Sequence, residues 1–91
     1  MKQEPVIHSR ARIYLKGQAD AMKLVTELNK YTQDRFTLEN FDGTRRVDAK
    51  SIIGVMYFMF DMYDDMFLVN DTHDGLIPSS VDVFRQTYSI E

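Results

Sequence analysis

Cysteine and tryptophan are absent from this 91-residue chain, proline occurs twice, glycine four times and histidine twice. Without cysteine there can be no disulfide, thiolate metal site or cysteine nucleophile, so stability has to come from a packed core. No apolar run approaches the roughly 18 residues that a bilayer span requires. The N-terminus MKQEPVIHSR lacks the apolar stretch of a secretory leader, so the expectation is a cytoplasmic protein with no membrane association. A net charge of −3 and a pI near 5.3 do not suit a phosphate-backbone binder, which carries a basic stripe, and no nucleic-acid partner is expected. A Ser/His/Asp set, a nucleotide-binding glycine loop and a zinc-ligand spacing are also missing. Independent catalysis has no residues to carry it, and no cofactor is expected.

What is there is ordinary globular material, 44% hydrophobic and 27% charged, enough to bury one core. A single domain over residues 10–91 is expected, with residues 1–9 as a tail or edge extension. Ala11, Ile13 and Leu15 alternate with Arg12, Tyr14 and Lys16, the period of a half-buried strand. From Gln18 onward Ala21, Leu24, Val25 and Leu28 recur at helical spacing, with Tyr31 extending the stripe, Asp20 in the first turn, and Lys23, Glu27 and Lys30 facing out. Phe36 and Leu38 alternate with polar neighbours, Asp42-Gly43 signals a hairpin, and an extended stretch resumes over Arg45 to Ala49. Ser51 opens the run IIGVMYFMF, which reads as a short helix with Ser51 as its N-cap. Asp64-Asp65 breaks that run, Met66 to Val69 reads as the last strand, and Pro78-Ser79-Ser80 opens a final helix carried by Val81, Phe84 and Tyr88. The order βαββαβα implies an α+β open-faced β-sandwich, a four-stranded, mostly antiparallel sheet with three helices on one face.

The segment Val47-Asp48-Ala49-Lys50-Ser51-Ile52-Ile53-Gly54-Val55-Met56 resembles the V-N-A-K-S-I-M-G-V-M stretch of Gram-positive HPr phosphocarrier proteins and of their catabolite-repression paralogue, differing only at Asp48 and Ile53. The element order is also the HPr order, and the resemblance covers Arg10 to about Tyr88. In that family a G-x-H-x-R-P segment joins the first strand to the first helix, and its histidine takes phosphate from enzyme I and passes it to sugar-specific carriers. Here the junction reads Lys16-Gly17-Gln18-Ala19-Asp20, without His, Arg or Pro. Asp20 at the helix start would repel an incoming phosphoryl group. His8-Ser9-Arg10-Ala11 copies H-x-R-P superficially, but it precedes the first strand and has Ala11 where proline should open a helix. His8 therefore reads as an exposed residue and His73 as a loop residue. A phosphocarrier using His8 remains the alternative reading.

By the same resemblance, Ser51 matches a regulatory phosphorylation site written by a dedicated kinase. A phosphate at a helix N-cap receives amide hydrogen bonds and a favourable dipole, and Lys50 adjoins it. Serine is equally a preferred N-cap where no kinase exists. The resemblance further implies that Ile52, Ile53 and Met56 on the second helix dock a protein partner, with Lys50 beside them. Positions 52, 55, 56, 59 and 60 can share one helical face and 53, 57 and 60 another, so a helix apolar nearly all round is either buried throughout or exposed to a partner. Asp61, Asp64 and Asp65 lack any ordered cation-ligand spacing and read as a solvated turn. The combined expectation is a non-catalytic, HPr-like regulatory or protein-binding module related to the sugar phosphotransferase system, its oligomeric state left open. A relic scaffold with no phosphotransfer role stands beside it.

Overall fold

The computed structural model describes residues 10–72 and 75–85, so His8, His73, Tyr88 and the expected tail over residues 1–9 lie outside the described residues. Its elements run β1 (Arg10–Arg12), α1 (Gln18–Leu28), β2 (Phe36–Glu39), β3 (Arg46–Asp48), α2 (Ile52–Asp61), β4 (Phe67–Asn70) and a 3-10 helix (Ser79–Phe84). The four strands form one sheet in the order β1-β4-β2-β3, and every pairing is antiparallel. The register sets Ala11 against Leu68 and Leu68 against Leu38, so the inward side chains of three strands meet in one row. The protein is thus α+β, with an open antiparallel sheet and three helices.

Alternation in each strand decides which sheet face is covered. Ala11, Phe36, Leu38 and Leu68 are buried, whereas Arg12 and Arg46 on the opposite face are exposed. The pattern continues beyond β1 through Ile13 and Leu15, both fully buried. There the chain pairs with the end of the 3-10 helix through an Ile13–Arg85 bridge and a 2.7 Å bond from the Tyr14 amide to the Phe84 carbonyl. The core lies between this sheet face and Ala21, Leu24 and Leu28 of α1, Val55, Phe58 and Met59 of α2, and Val81 and Phe84 of the 3-10 helix. Each large side chain so buried contributes roughly 1.5–3 kcal/mol relative to exposure.

Two local departures from the expected elements have physical causes. The hairpin turns through Phe41–Thr44 rather than through two residues, because Asn40 organises it. The Asn40 amide donates to the Arg45 carbonyl at 3.1 Å, and its side-chain oxygen accepts from the Arg45 amide at 3.0 Å. Gly43, at φ 76°, supplies the left-handed residue and donates to the Asn40 carbonyl at 3.0 Å. The final helix is 3-10 over its described length, with three-residue bonds from Val81 to Pro78 and from Arg85 to Asp82. It buries only Val81 and Phe84, spaced one such turn apart.

Candidate functional site

The link from β3 into α2 places Ser51. Ala49 is buried and donates its amide to the Phe36 carbonyl at 3.0 Å, which pins the chain beside the sheet. The Asp48 carboxylate accepts from the Lys50 amide at 2.9 Å, and the Asp48 carbonyl accepts from the Ser51 amide at 3.2 Å. This tight turn leaves Ser51 extended, at φ −101° and ψ 118°, with its hydroxyl accepting from the Gly54 amide at 3.2 Å. That is N-cap geometry, and Ser51 is half-buried.

Lys50 points away from this cap. Its Nζ donates to the Tyr31 carbonyl at 2.7 Å and lies 5.9 Å from the Phe36 ring centroid. The lysine thus ties the β3–α2 link to the end of α1. Asn29 strengthens the tie, its side-chain amide donating to the Val25 carbonyl at 2.8 Å and to the Lys50 carbonyl at 3.1 Å.

Along α2 the packing separates residues that the apolar run left indistinguishable. Val55, Phe58 and Met59 face the core. Ile53 (79% exposed), Tyr57 (62%) and Phe60 (76%) face outward at i, i+4 and i+7, one ridge on the helix surface. Ile52 sits at the edge of that ridge at 37%, and Met56 is half-buried against the core. Of the sequence candidates, Ile53 is therefore the most presented and Met56 the least. The pairing of positions 59 and 60 on one face does not hold, since Met59 is buried and Phe60 is exposed. Tyr63, which sequence reasoning did not single out, is a further exposed apolar side chain just past the helix end. It is half exposed and packs edge-on against Tyr14 at 5.1 Å.

The acidic residues after α2 do not converge. Asp61 pairs with Arg45, and Asp65 accepts from the Phe41 amide at 2.8 Å. No cluster able to hold a metal ion exists among the described residues. At the β1–α1 junction, Gly17 caps α1 without a side-chain bond, and the Asp20 carboxylate folds back to accept from the Lys16 amide at 2.9 Å. The junction thus carries an internal carboxylate at the helix start.

Two further surfaces lie outside the β3–α2 link and the α2 ridge. On the open sheet face Glu39 sits between Arg10 (2.9 Å) and Arg46 (3.2 Å), and Arg46 also reaches Asp71 at 3.0 Å. The guanidinium of Arg10 stacks 4.0 Å over Phe67. A groove of about 370 Å³ between α1 and the 3-10 helix is lined by Met22, Thr26, Glu27, Ser80 and Val83 among others. Its one carboxylate, Glu27, is held below its ordinary pKa, chiefly by the Lys30 hydrogen bond and then by Ser80. No helix among the described residues is long and apolar enough to cross a membrane. No family model, curated protein or solved structure matches the chain.

Proposed function

We propose that this chain is an HPr-like, non-catalytic protein-binding module that docks a protein partner through the outward face of α2 and is switched by phosphorylation of Ser51. The observation that carries this reading is the ridge Ile53-Tyr57-Phe60, three large apolar side chains in solvent on a helix whose opposite side already fills the core. An apolar surface of this kind is retained for association, because folding gains nothing from it. The resemblance of Val47 to Met56 to the HPr segment supports the family assignment, as does the order of the elements. The junction residues favour a regulatory role over a phosphocarrier one, since Asp20 brings negative charge to the α1 start, where a phosphoryl group would have to dwell.

Ser51 suits a switch because its cap places the hydroxyl at the positive end of α2 on a residue that is only half-buried. Lys50 contributes through its tie to Tyr31, which holds the approach to the cap in place.

Intact-mass measurement after incubation with ATP and an HPr kinase, in parallel with enzyme I and phosphoenolpyruvate, tests this reading. One phosphate from the kinase, absent in Ser51→Ala, and none from enzyme I is the expected result. Acid-labile label from enzyme I on a histidine would overturn the non-carrier role, and an unlabelled protein would remove the switch.

A further inference from the structure

We propose that the turn between β2 and β3 is a guarded modification site, in which Asn40 and Thr44 restrain the Asp42-Gly43 pair from closing to a succinimide and isomerising to isoaspartate.

In that reaction the Gly43 nitrogen bonds to the Asp42 side-chain carbonyl carbon, the C–OH bond of the carboxyl group breaks, and water leaves. Hydrolysis of the ring returns the water. Opening at the former backbone carbonyl passes the main chain through the Asp42 side chain, an isomer with no net change of atoms. An Asp-Gly pair is disposed to this closure because glycine has no side chain to shield its amide. Asp42 is exposed and Gly43 half-buried, so the pair is within reach of water.

Both reacting groups are engaged elsewhere. The Gly43 amide, which would have to attack, donates to the Asn40 carbonyl at 3.0 Å. The Asp42 carboxylate accepts from the Thr44 hydroxyl at 2.8 Å and from the Thr44 amide at 3.2 Å. These two bonds, the hydroxyl's first, hold the carboxyl below its ordinary pKa, in the ionised form that lacks a hydroxyl to lose. The Thr44 hydroxyl is itself aimed. Its oxygen accepts from the Asn40 side-chain amide at 3.0 Å, which leaves its proton for Asp42. Asn40 is buried, and the Arg45 amide donating to its side-chain oxygen at 3.0 Å fixes which way it faces. One asparagine thus restrains the nucleophile directly and the carboxyl through Thr44.

Incubating the purified chain at mildly acidic pH and measuring isoaspartate in the tryptic peptide Phe36–Arg45, by chromatography with mass detection, tests the proposal. The other Asp-Gly pair, Asp74-Gly75, falls in a different tryptic peptide and does not confuse the reading. Isomerisation of the folded wild type should be many-fold slower than in the same chain unfolded in urea. Thr44→Val, which keeps the shape and removes the hydroxyl, should speed it several-fold with an unchanged circular dichroism spectrum, and Thr44→Ser should keep the wild-type rate. Val55→Ala weakens the core without touching the turn and should also leave the rate unchanged. A Thr44→Val rate equal to wild type, or a wild type that isomerises as fast folded as unfolded, would overturn the guard. Equal acceleration in Val55→Ala would overturn it too, by assigning the effect to lost global stability.

Discussion

The two helices pack on the same sheet face, yet they present opposite surfaces to solvent. α1 buries Ala21, Leu24 and Leu28 and turns Lys23 and the Glu27–Lys30 pair outward, the ordinary division of an amphipathic helix. α2 buries Val55, Phe58 and Met59 and turns Ile53, Tyr57 and Phe60 outward. Folding needs only the inward half of each. The outward half of α1 is mostly polar, with Met22 its one exposed large apolar side chain, whereas that of α2 is apolar, and under the proposed function this difference marks the docking face.

The contrast is sharpest within α2 itself. Phe58 is 1% exposed at the centre of the core, and Phe58→Ala should cost about 3–5 kcal/mol in urea unfolding, the usual penalty for truncating a buried aromatic. A loss below about 1 kcal/mol would mean that the inward and outward sides have been assigned wrongly.

The caps separate the helices next. α2 begins on a side-chain bond from Ser51 and α1 on Gly17 with none. Ser51→Ala should therefore destabilise by about 1 kcal/mol, read from the same unfolding curves. Gly17→Ser should stabilise α1 by a few tenths of a kcal/mol, because Gly17 is extended and a Cβ there meets nothing within 4 Å. A destabilised Gly17→Ser would show that the backbone at the α1 start cannot carry a side chain.

The smallest effect is electrostatic and confined to α1. Hydrogen bonds from Lys30 and Ser80 depress the Glu27 pKa below its ordinary 4.5. A lowered folded-state value stabilises the fold above the unfolded pKa, and the contribution disappears as pH falls through the lowered value. Thermal unfolding of wild type and Glu27→Gln between neutral and acidic pH should show a slightly shallower acid-side decline in the variant. Phe60→Gln on α2 should follow the wild-type profile, since its outer face has no carboxylate or histidine before Asp61.

What could be read from the sequence follows from the same contrast. The phase of α1 was legible because Lys23, Thr26, Glu27 and Lys30 leave only one side to bury. The phase of α2 was not, because an all-apolar helix has no polar face to orient it. Packing against α1 and the sheet decides that Met59 goes in and Phe60 goes out. Ser51 as a cap was readable, since capping is a local rule. The bond from Lys50 to the Tyr31 carbonyl joins residues 19 apart, and no local pattern encodes it. Asn70 is a similar case. Buried at the end of β4, it accepts from the Thr72 amide at 2.9 Å and donates to the Leu76 carbonyl at 2.9 Å, and a side chain at Gly75 would overlap it. The sequence showed a polar loop there, but not the asparagine that closes it.

The central claim is that the outward ridge of α2 serves association and not folding. Equilibrium urea unfolding of the triple variant Ile53→Gln, Tyr57→Gln, Phe60→Gln, at low protein concentration, tests it most directly. Glutamine keeps helix propensity while removing the apolar ridge. The account predicts a stability within about 0.5 kcal/mol per site of wild type, as for exposed positions generally. A loss of several kcal/mol would place the ridge in the core and contradict it.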